Sequence, residues 1–329
     1  MNKKITIILG LIILLPLTGA YAEETDFILP IACEYGENCW AVNYVDVDPT
    51  KGVQDFKCNI KSYDGHKGTD FAVTYNDMKK GIDVLAAANG KILRTRDTEA
   101  DSYKTDEQVE TINVQNKDCG NGIIMDHGNG LQTIYCHLKQ NSIVVEPKQN
   151  VKAGEKIAQI GLSGVTQFPH LHFGVQWEGG VVDPFTGALN KEGCGQFKQS
   201  LWNDETTLTY DPVAIFNGGF RASSPNYEAI ARGQSNPKAI TLKSAAFVFW
   251  TGLYNVEKGD KLLLKVTDPN GNIFVTSDIT LERNRARHYQ HVGRKIGRVQ
   301  LIEGTYTGHV TLIRDDNIKK ETQYTVQVR

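Results

Sequence analysis

The chain has 329 residues, with 36 Lys and Arg against 38 Asp and Glu for a formal net charge of −2. A chain of this length is expected to hold two domains, which sets aside a single small one. The charge divides it too: residues 23–216 carry 17 basic and 28 acidic side chains, whereas 217–329 carry 17 basic and 10 acidic, an asymmetry that points to different partners for the two halves.

The first element is MNKKITIILGLIILLPLTGAYA (1–22), in which Lys3 and Lys4 precede an apolar run from Ile5 that closes on Ala20-Tyr21-Ala22. This is the pattern of a secretory signal peptide with an A-x-A cleavage site. Pro16 breaks the run and polar sequence follows, so a membrane anchor is the weaker reading. The chain is expected to be exported, to the periplasm or outside the cell. Residues 23–60 read as an N-terminal extension containing disulfide cysteines. The six cysteines are Cys33, Cys39, Cys58, Cys119, Cys136 and Cys194; an even number in an exported chain suggests disulfides. Cys33 and Cys39 are close enough for a local bridge. No C-x-x-C spacing occurs, which sets a thiolate metal site aside.

Residues 61–216 show short, frequent strand signals between Gly, Asn and Asp, and no long helical period. In GHKGTDFAV (65–73), His66 and Asp70 stand at i, i+4, but Gly65 and Gly68 favour a turn entering a strand over a helix. Residues 95–120 are a polar insertion between two strands and a candidate mobile wall of a groove. GIIMDHGNGLQTIYCHL (122–138) reads as a hairpin about His127-Gly128-Asn129-Gly130, where Asn-Gly supplies positive φ at little cost. VKAGEKIAQIG (151–161) reads as another strand pair. In FPHLHFGV (168–175), His170 and His172 share one face of a strand, and Leu171 and Phe173 the other. Two neighbouring imidazoles compete poorly for a core, so they sit at a rim or serve a metal or a proton. Catalytic zinc takes three protein ligands, among them His nitrogen and carboxylate oxygen, plus a water. His66, Asp70 and one histidine of the pair supply such a set, on an antiparallel all-β fold.

The combination of His66-x-x-x-Asp70, Tyr135-Cys136-His137-Leu138 and Pro169-His170-Leu171-His172-Phe173 resembles the lysostaphin/LytM-type zinc metalloendopeptidases. GIDVLAAANGKI, DHGNGLQTIYCHL, VKAGEKIAQIG and Val182-Asp183-Pro184 occur in that family's order, so the resemblance covers about Gly65 to Pro184. It implies a LytM-like catalytic β-fold with an open groove, one Zn2+ per chain, and hydrolysis of peptide bonds in peptidoglycan stem or cross-bridge peptides. Residue by residue, it implies His66, Asp70 and His172 as zinc ligands, with His137 and His170 as unligated catalytic histidines. Which of the two is the general base stays open. The chain departs from the family in its bulky approach Gly164-Val165-Thr166-Gln167-Phe168-Pro169, and in Cys136, taken as half of a disulfide. His127 reads as a turn residue. Asp126 and Asp183 either orient site histidines or are solvated turn carboxylates. Tyr63 and Tyr135 either donate to an oxyanion or pack, and Trp177 packs.

Residues 217–329 read as a separate domain, with NGGFRASSPN (217–226) as linker. Short alternating strands with turns at Lys258-Gly259-Asp260 and Pro269-Asn270-Gly271 suggest an immunoglobulin-like β-sandwich. Around Tyr289 crowd Arg283, Arg285, Arg287, Arg294, Lys295 and Arg298: either a solvated loop or a surface for an anionic envelope polymer or lipid. Nucleic acid is set aside for an exported chain. Three functional readings follow: an exported zinc endopeptidase on peptidoglycan, an inactive wall-binding regulator of other hydrolases, and a secreted protease on glycine-rich proteins.

Overall fold

A computed structural model describes residues 26–210, 213–297 and 300–329; the signal-peptide segment and Arg298 lie outside these. The first half contains strands β1 (Cys39–Asn43), β2 (Gly68–Val73), β3 (Asp83–Leu85), β4 (Gly90–Arg96), β5 (Asn121–Asp126), β6 (Leu131–Leu138), β7 (Asn150–Val151), β8 (Lys156–Gln159), β9 (His170–Trp177) and β10 (Gly180–Val181), with short helices α1 (Tyr75–Lys80) and α2 (Asp106–Val114). One sheet runs in the order β1-β2-β9-β6-β5-β4-β7, with β10 on β9; β3 and β8 form a separate pair. Period-2 patterning sets its faces: Ile123 and Met125 of β5 turn inward, as do Leu171, Phe173 and Val175 of β9, all within one core with Phe27, Phe71 and Tyr135. The opposite face of β9 is thereby left to His170 and His172.

The N-terminal extension is part of this sheet. β1 pairs with β2, and the Cys58–Cys194 disulfide ties the following loop to residues beyond β10. Cys33–Cys39 is the local bridge expected, and Cys119 pairs with Cys136. The polar insertion is fastened. Asp101 accepts from the backbone N–H groups of Leu162 (2.7 Å) and Gln140 (2.9 Å), and buried Asn121 exchanges two hydrogen bonds with the Glu99 backbone. Within the insertion, α2 is closed by a capping box between Thr105 and Gln108.

The second half contains β11 (Ala214–Arg221), α3 (Tyr227–Ala231), β12 (Ala239–Ile240), β13 (Ala246–Val256), β14 (Lys261–Thr267), β15 (Ile273–Thr280), β16 (Arg285–Lys295), β17 (Gly304–Arg314) and β18 (Asn317–Val328). The sheet β11-β13-β16 packs on the sheet β12-β18-β17-β14-β15, with Phe247, Phe249 and Leu253 buried with Leu262, Leu264, Val310 and Leu312. This is the expected sandwich, with two corrections. The supposed linker begins inside a strand: β11 opens at Ala214 and pairs with β13 through Arg221, because Ile215 and Phe220 have sandwich neighbours to bury against. The basic segment is likewise a strand, β16, paired with β13 from Arg285 to Lys295.

β13 is buried on both faces almost throughout, where the sequence pattern had suggested alternation. One face is sandwich core. The other carries Tyr254, which joins Ala214 and Phe216 in a cluster with Trp40, Val42, Ala72 and Phe168 of the first half. Tyr254 and Phe216 stack at 4.2 Å, and Trp40 lies 6.0 Å from Tyr254. The sandwich therefore docks against β1, β2 and the loop that leads into β9.

Candidate active site

Sheet register brings the site residues together. Asp70 on β2 lies opposite His172 on β9, and His172 lies opposite Cys136, the residue before His137, on β6; directly opposed residues project side by side. His66 arrives from the turn before β2. Gly68 makes room for the pair: a Cβ there would lie 2.7 Å from both the His172 Nε2 and the Phe173 carbonyl oxygen, so the glycine of HKGTD is required by space.

Three ligand-type atoms converge. His66 Nε2 is 3.1 Å from Asp70 Oδ1 and 3.1 Å from His172 Nδ1, and His172 Nδ1 is 2.9 Å from Asp70 Oδ1. His66 Nδ1 donates to the Tyr44 carbonyl at 2.7 Å, which leaves its Nε2 lone pair facing the other two atoms. The second Asp70 oxygen accepts from Asn43 Nδ2 at 2.9 Å. Burial alone would raise the Asp70 carboxyl, but the surrounding histidines, His66 foremost, hold it well below the usual carboxylate range. Three lone-pair atoms aimed at one point repel one another unless a cation sits between them. Tetrahedral zinc with bonds of about 2.0–2.1 Å would space its ligands by about 3.3 Å, so the donor set fits that ion in both chemistry and spacing.

Two further imidazoles flank this trio. The His137 ring lies 4.6 Å from the His170 ring and 6.1 Å from that of His172. His137 Nδ1 donates to the Ser163 carbonyl at 2.9 Å, and His170 Nδ1 donates to the Phe168 carbonyl at 2.9 Å with Thr166 Oγ1 at 3.1 Å. Each ring thus turns Nε2 toward the site, and that of His170 lies 3.4 Å from Asp70 Oδ1. Burial, reinforced by its histidine neighbours, pushes the His137 pKa well down, so its imidazole rests neutral. His137 also has φ of +60°, a strained conformation for a residue with a Cβ. Its N–H donates to the Cys119 carbonyl and its carbonyl accepts from Gly161, at 2.9 and 3.0 Å, with the Cys119–Cys136 disulfide alongside.

All five residues singled out from sequence meet in one place. Tyr63 stacks on His66 at 4.3 Å and so belongs to the rim. Tyr135 is core, accepting from the Ala87 N–H. His127 bonds the Asn89 carbonyl and Thr133, away from the trio, as a turn residue would. Asp126 accepts from the Gly128 N–H, and Asp183 from the Phe185 and Thr186 backbone and the Thr186 hydroxyl; neither touches a site histidine. Trp177 donates to the Asn129 carbonyl. Sequence reading missed Asn43, Ser163 and Thr166, and it grouped Arg287 with surface charges. The structure divides that basic cluster: Arg285 lines a cavity of about 190 Å³ with Asn43, Lys61 and Glu257, Arg287 lies over Phe168, and Arg294 lies over Phe274.

Residues 64–184 match the sequence model described as Peptidase family M23. Among curated proteins, the chain is 33% identical over 130 residues to an uncharacterized metalloprotease of Haemophilus influenzae, covering 40% of this chain and 22% of that protein. It is 31% identical over 124 residues to the peptidoglycan DD-endopeptidase ShyB of Vibrio cholerae, covering 38% and 23%. It is 29% identical over 120 residues to the murein hydrolase activator NlpD of Escherichia coli, covering 36% and 25%. The matched part spans about a quarter of the length of these relatives.

Proposed function

The chain carries a Peptidase family M23 domain at residues 64–184, and from that premise we propose that it is an exported, zinc-dependent endopeptidase acting on peptidoglycan stem or cross-bridge peptides. The observation that carries the proposal is the convergence of His66 Nε2, Asp70 Oδ1 and His172 Nδ1 within about 3 Å of one another, beside two imidazoles anchored through Nδ1. In this reading His66, Asp70 and His172 hold one zinc. When bound, that ion supplies Lewis acidity toward a peptide carbonyl and activation of water.

The protein's own groups handle the proton. His137 and His170 offer Nε2 to the site, and a neutral imidazole there takes a proton as attack begins and returns it to the leaving amine. The Ser163 and Phe168 carbonyls fix the tautomer that makes this possible. Asn43 holds the second oxygen of Asp70 and so sets which oxygen faces the metal position. The substrate class is supported by the similarity to ShyB, and export by three disulfides, which persist in oxidising compartments. The completeness of the five-residue set supports a hydrolase over a binding-only regulator.

Metal analysis of the purified mature chain tests the assignment. One equivalent of zinc is expected for wild type, and none for His66→Ala, Asp70→Ala or His172→Ala. His137→Ala and His170→Ala should keep the metal and lose about 10²–10⁴ in turnover. Stoichiometric zinc in the His66→Ala protein would overturn the ligand set.

A further inference from the structure

The sandwich contributes a cation beside the site. On β16, Arg287 lies opposite Tyr254 of β13, on the sheet face that docks against the first half. Its guanidinium carbon sits 5.7 Å from the Phe168 ring centroid and 5.9 Å from that of Tyr289. The Phe168 ring in turn lies 4.6 Å from His170, tilted by 31°, so Arg287 is one ring removed from a histidine of the site. Tyr103, from the polar insertion, is close enough to feel the same charge: burial raises its pKa and Arg287 offsets part of the rise. Arg287 thus stands where three pieces of chain meet: the insertion, the loop before β9 and the sandwich.

Its hydrogen-bonding capacity is unspent among the described residues. Arg314, also half-buried in the sandwich, is held by Asp260 and Glu257, Arg221 donates to the Ser235 carbonyl, and Arg232 pairs with Glu228. Arg287 makes no ion pair among the described residues and has aromatic faces as its neighbours. Aromatic rings attract the charge but do not satisfy its five N–H donors. A planar fork lying over two rings, with no ion pair to another described residue, can make two parallel bonds to a carboxylate. The need is also there: the first half has an excess of acidic over basic side chains, a field that repels an acidic peptide unless a local positive group receives it.

We propose that Arg287 is a specificity-determining residue that binds a carboxylate of the peptide substrate next to the bond presented to His170. This rests on the peptidase reading for what the cleft receives, and the test separates the two. The probes are a synthetic peptidoglycan stem peptide with free carboxylates and the same peptide with each carboxylate converted to carboxamide, both fluorescently labelled. Binding to the full mature chain is read by anisotropy after zinc removal, so that turnover plays no part. Wild type should favour the acidic peptide by about tenfold or more, the span of charge-assisted hydrogen bonds. Arg287→Gln should erase that preference while leaving the amidated peptide's affinity unchanged. Arg287→Lys should retain part of it, and Arg283→Ala all of it. Equal binding of the two peptides by wild type, or equal losses for both in Arg287→Gln, would overturn the proposal, the second outcome marking a packing role. Hydrolysis by the zinc-loaded enzyme is run alongside: cleavage of neither peptide, with the acidic preference intact, would sink the peptidase reading and support the carboxylate site.

Discussion

Replacing Cys119 and Cys136 together by Ser tests how the strained histidine is held. The bridge closes a separation of 17 residues, for which loop-closure entropy gives a stability loss of about 3 kcal/mol at 25 °C. The catalytic consequence is local. His137 sits at φ +60°, at a cost on the order of 1–3 kcal/mol for a side chain with a Cβ. Its N–H bonds the carbonyl of one bridged cysteine, and its chain neighbour is the other. Without the bridge that strain is opposed by hydrogen bonds alone, and release of about 1.4 kcal/mol lowers the population of the working conformer roughly tenfold. Zinc content should not change, because the three residues proposed as ligands lie on or beside β2 and β9. The assay combines urea denaturation, zinc content, and initial rates on a peptide substrate normalised to the folded fraction. A double variant that loses about 3 kcal/mol yet keeps the wild-type rate per folded molecule refutes the role given to the bridge; one that also loses zinc shows that the bridge supports the ligands.

Gly68→Ala should cost metal affinity together with stability, because the added Cβ meets the His172 ring and a backbone carbonyl at 2.7 Å, and a backbone clash does not relax cheaply; wild-type zinc affinity in that variant would refute the space argument. Asp183 is wholly buried with one carboxylate oxygen unpartnered, and burial pushes its pKa up to about 7. Its unfolded value is about 3.9, so the folded state binds more protons between these limits. Stability contributed by the neutral form is full at the acid end and falls by about 4 kcal/mol as pH rises through 7. Asp183→Asn should remove that slope in a series of denaturation midpoints, and an unchanged pH profile would count against it.

Of the site, period 2 put His170 and His172 on one face, and zinc chemistry grouped His66 and Asp70 with one of them; the choice of His172 and the addition of His137 came from the family resemblance, and the register that sets Asp70 opposite His172 is visible only in the fold. What supports them was not legible. Tyr44, Ser163 and Phe168 act through backbone carbonyls, which leave no trace in residue type. Asn43 reaches Asp70 from another strand, 27 positions earlier. The sandwich's strands could be read from alternation and turns, but its docking could not, because β13 hides a second buried face behind residues such as Tyr254 that read equally well as surface. Arg287 looked like its basic neighbours for the same reason. Only its pairing with Tyr254 shows which way that part of β16 turns. The linker was misplaced because NGGF has turn composition, while its backbone pairs with β13 as a strand.

The central claim is that the His66, Asp70 and His172 centre hydrolyses peptide bonds of peptidoglycan. Its most direct test is muropeptide analysis of purified sacculi incubated with the mature chain, with and without a zinc chelator, beside the His170→Ala variant. New products cut at peptide bonds are expected, absent with chelator, restored by added zinc, and formed about 10²–10⁴ more slowly by the variant. Sacculi left unchanged by the zinc-loaded wild type, or cut equally well by chelated protein or by the variant, would contradict it.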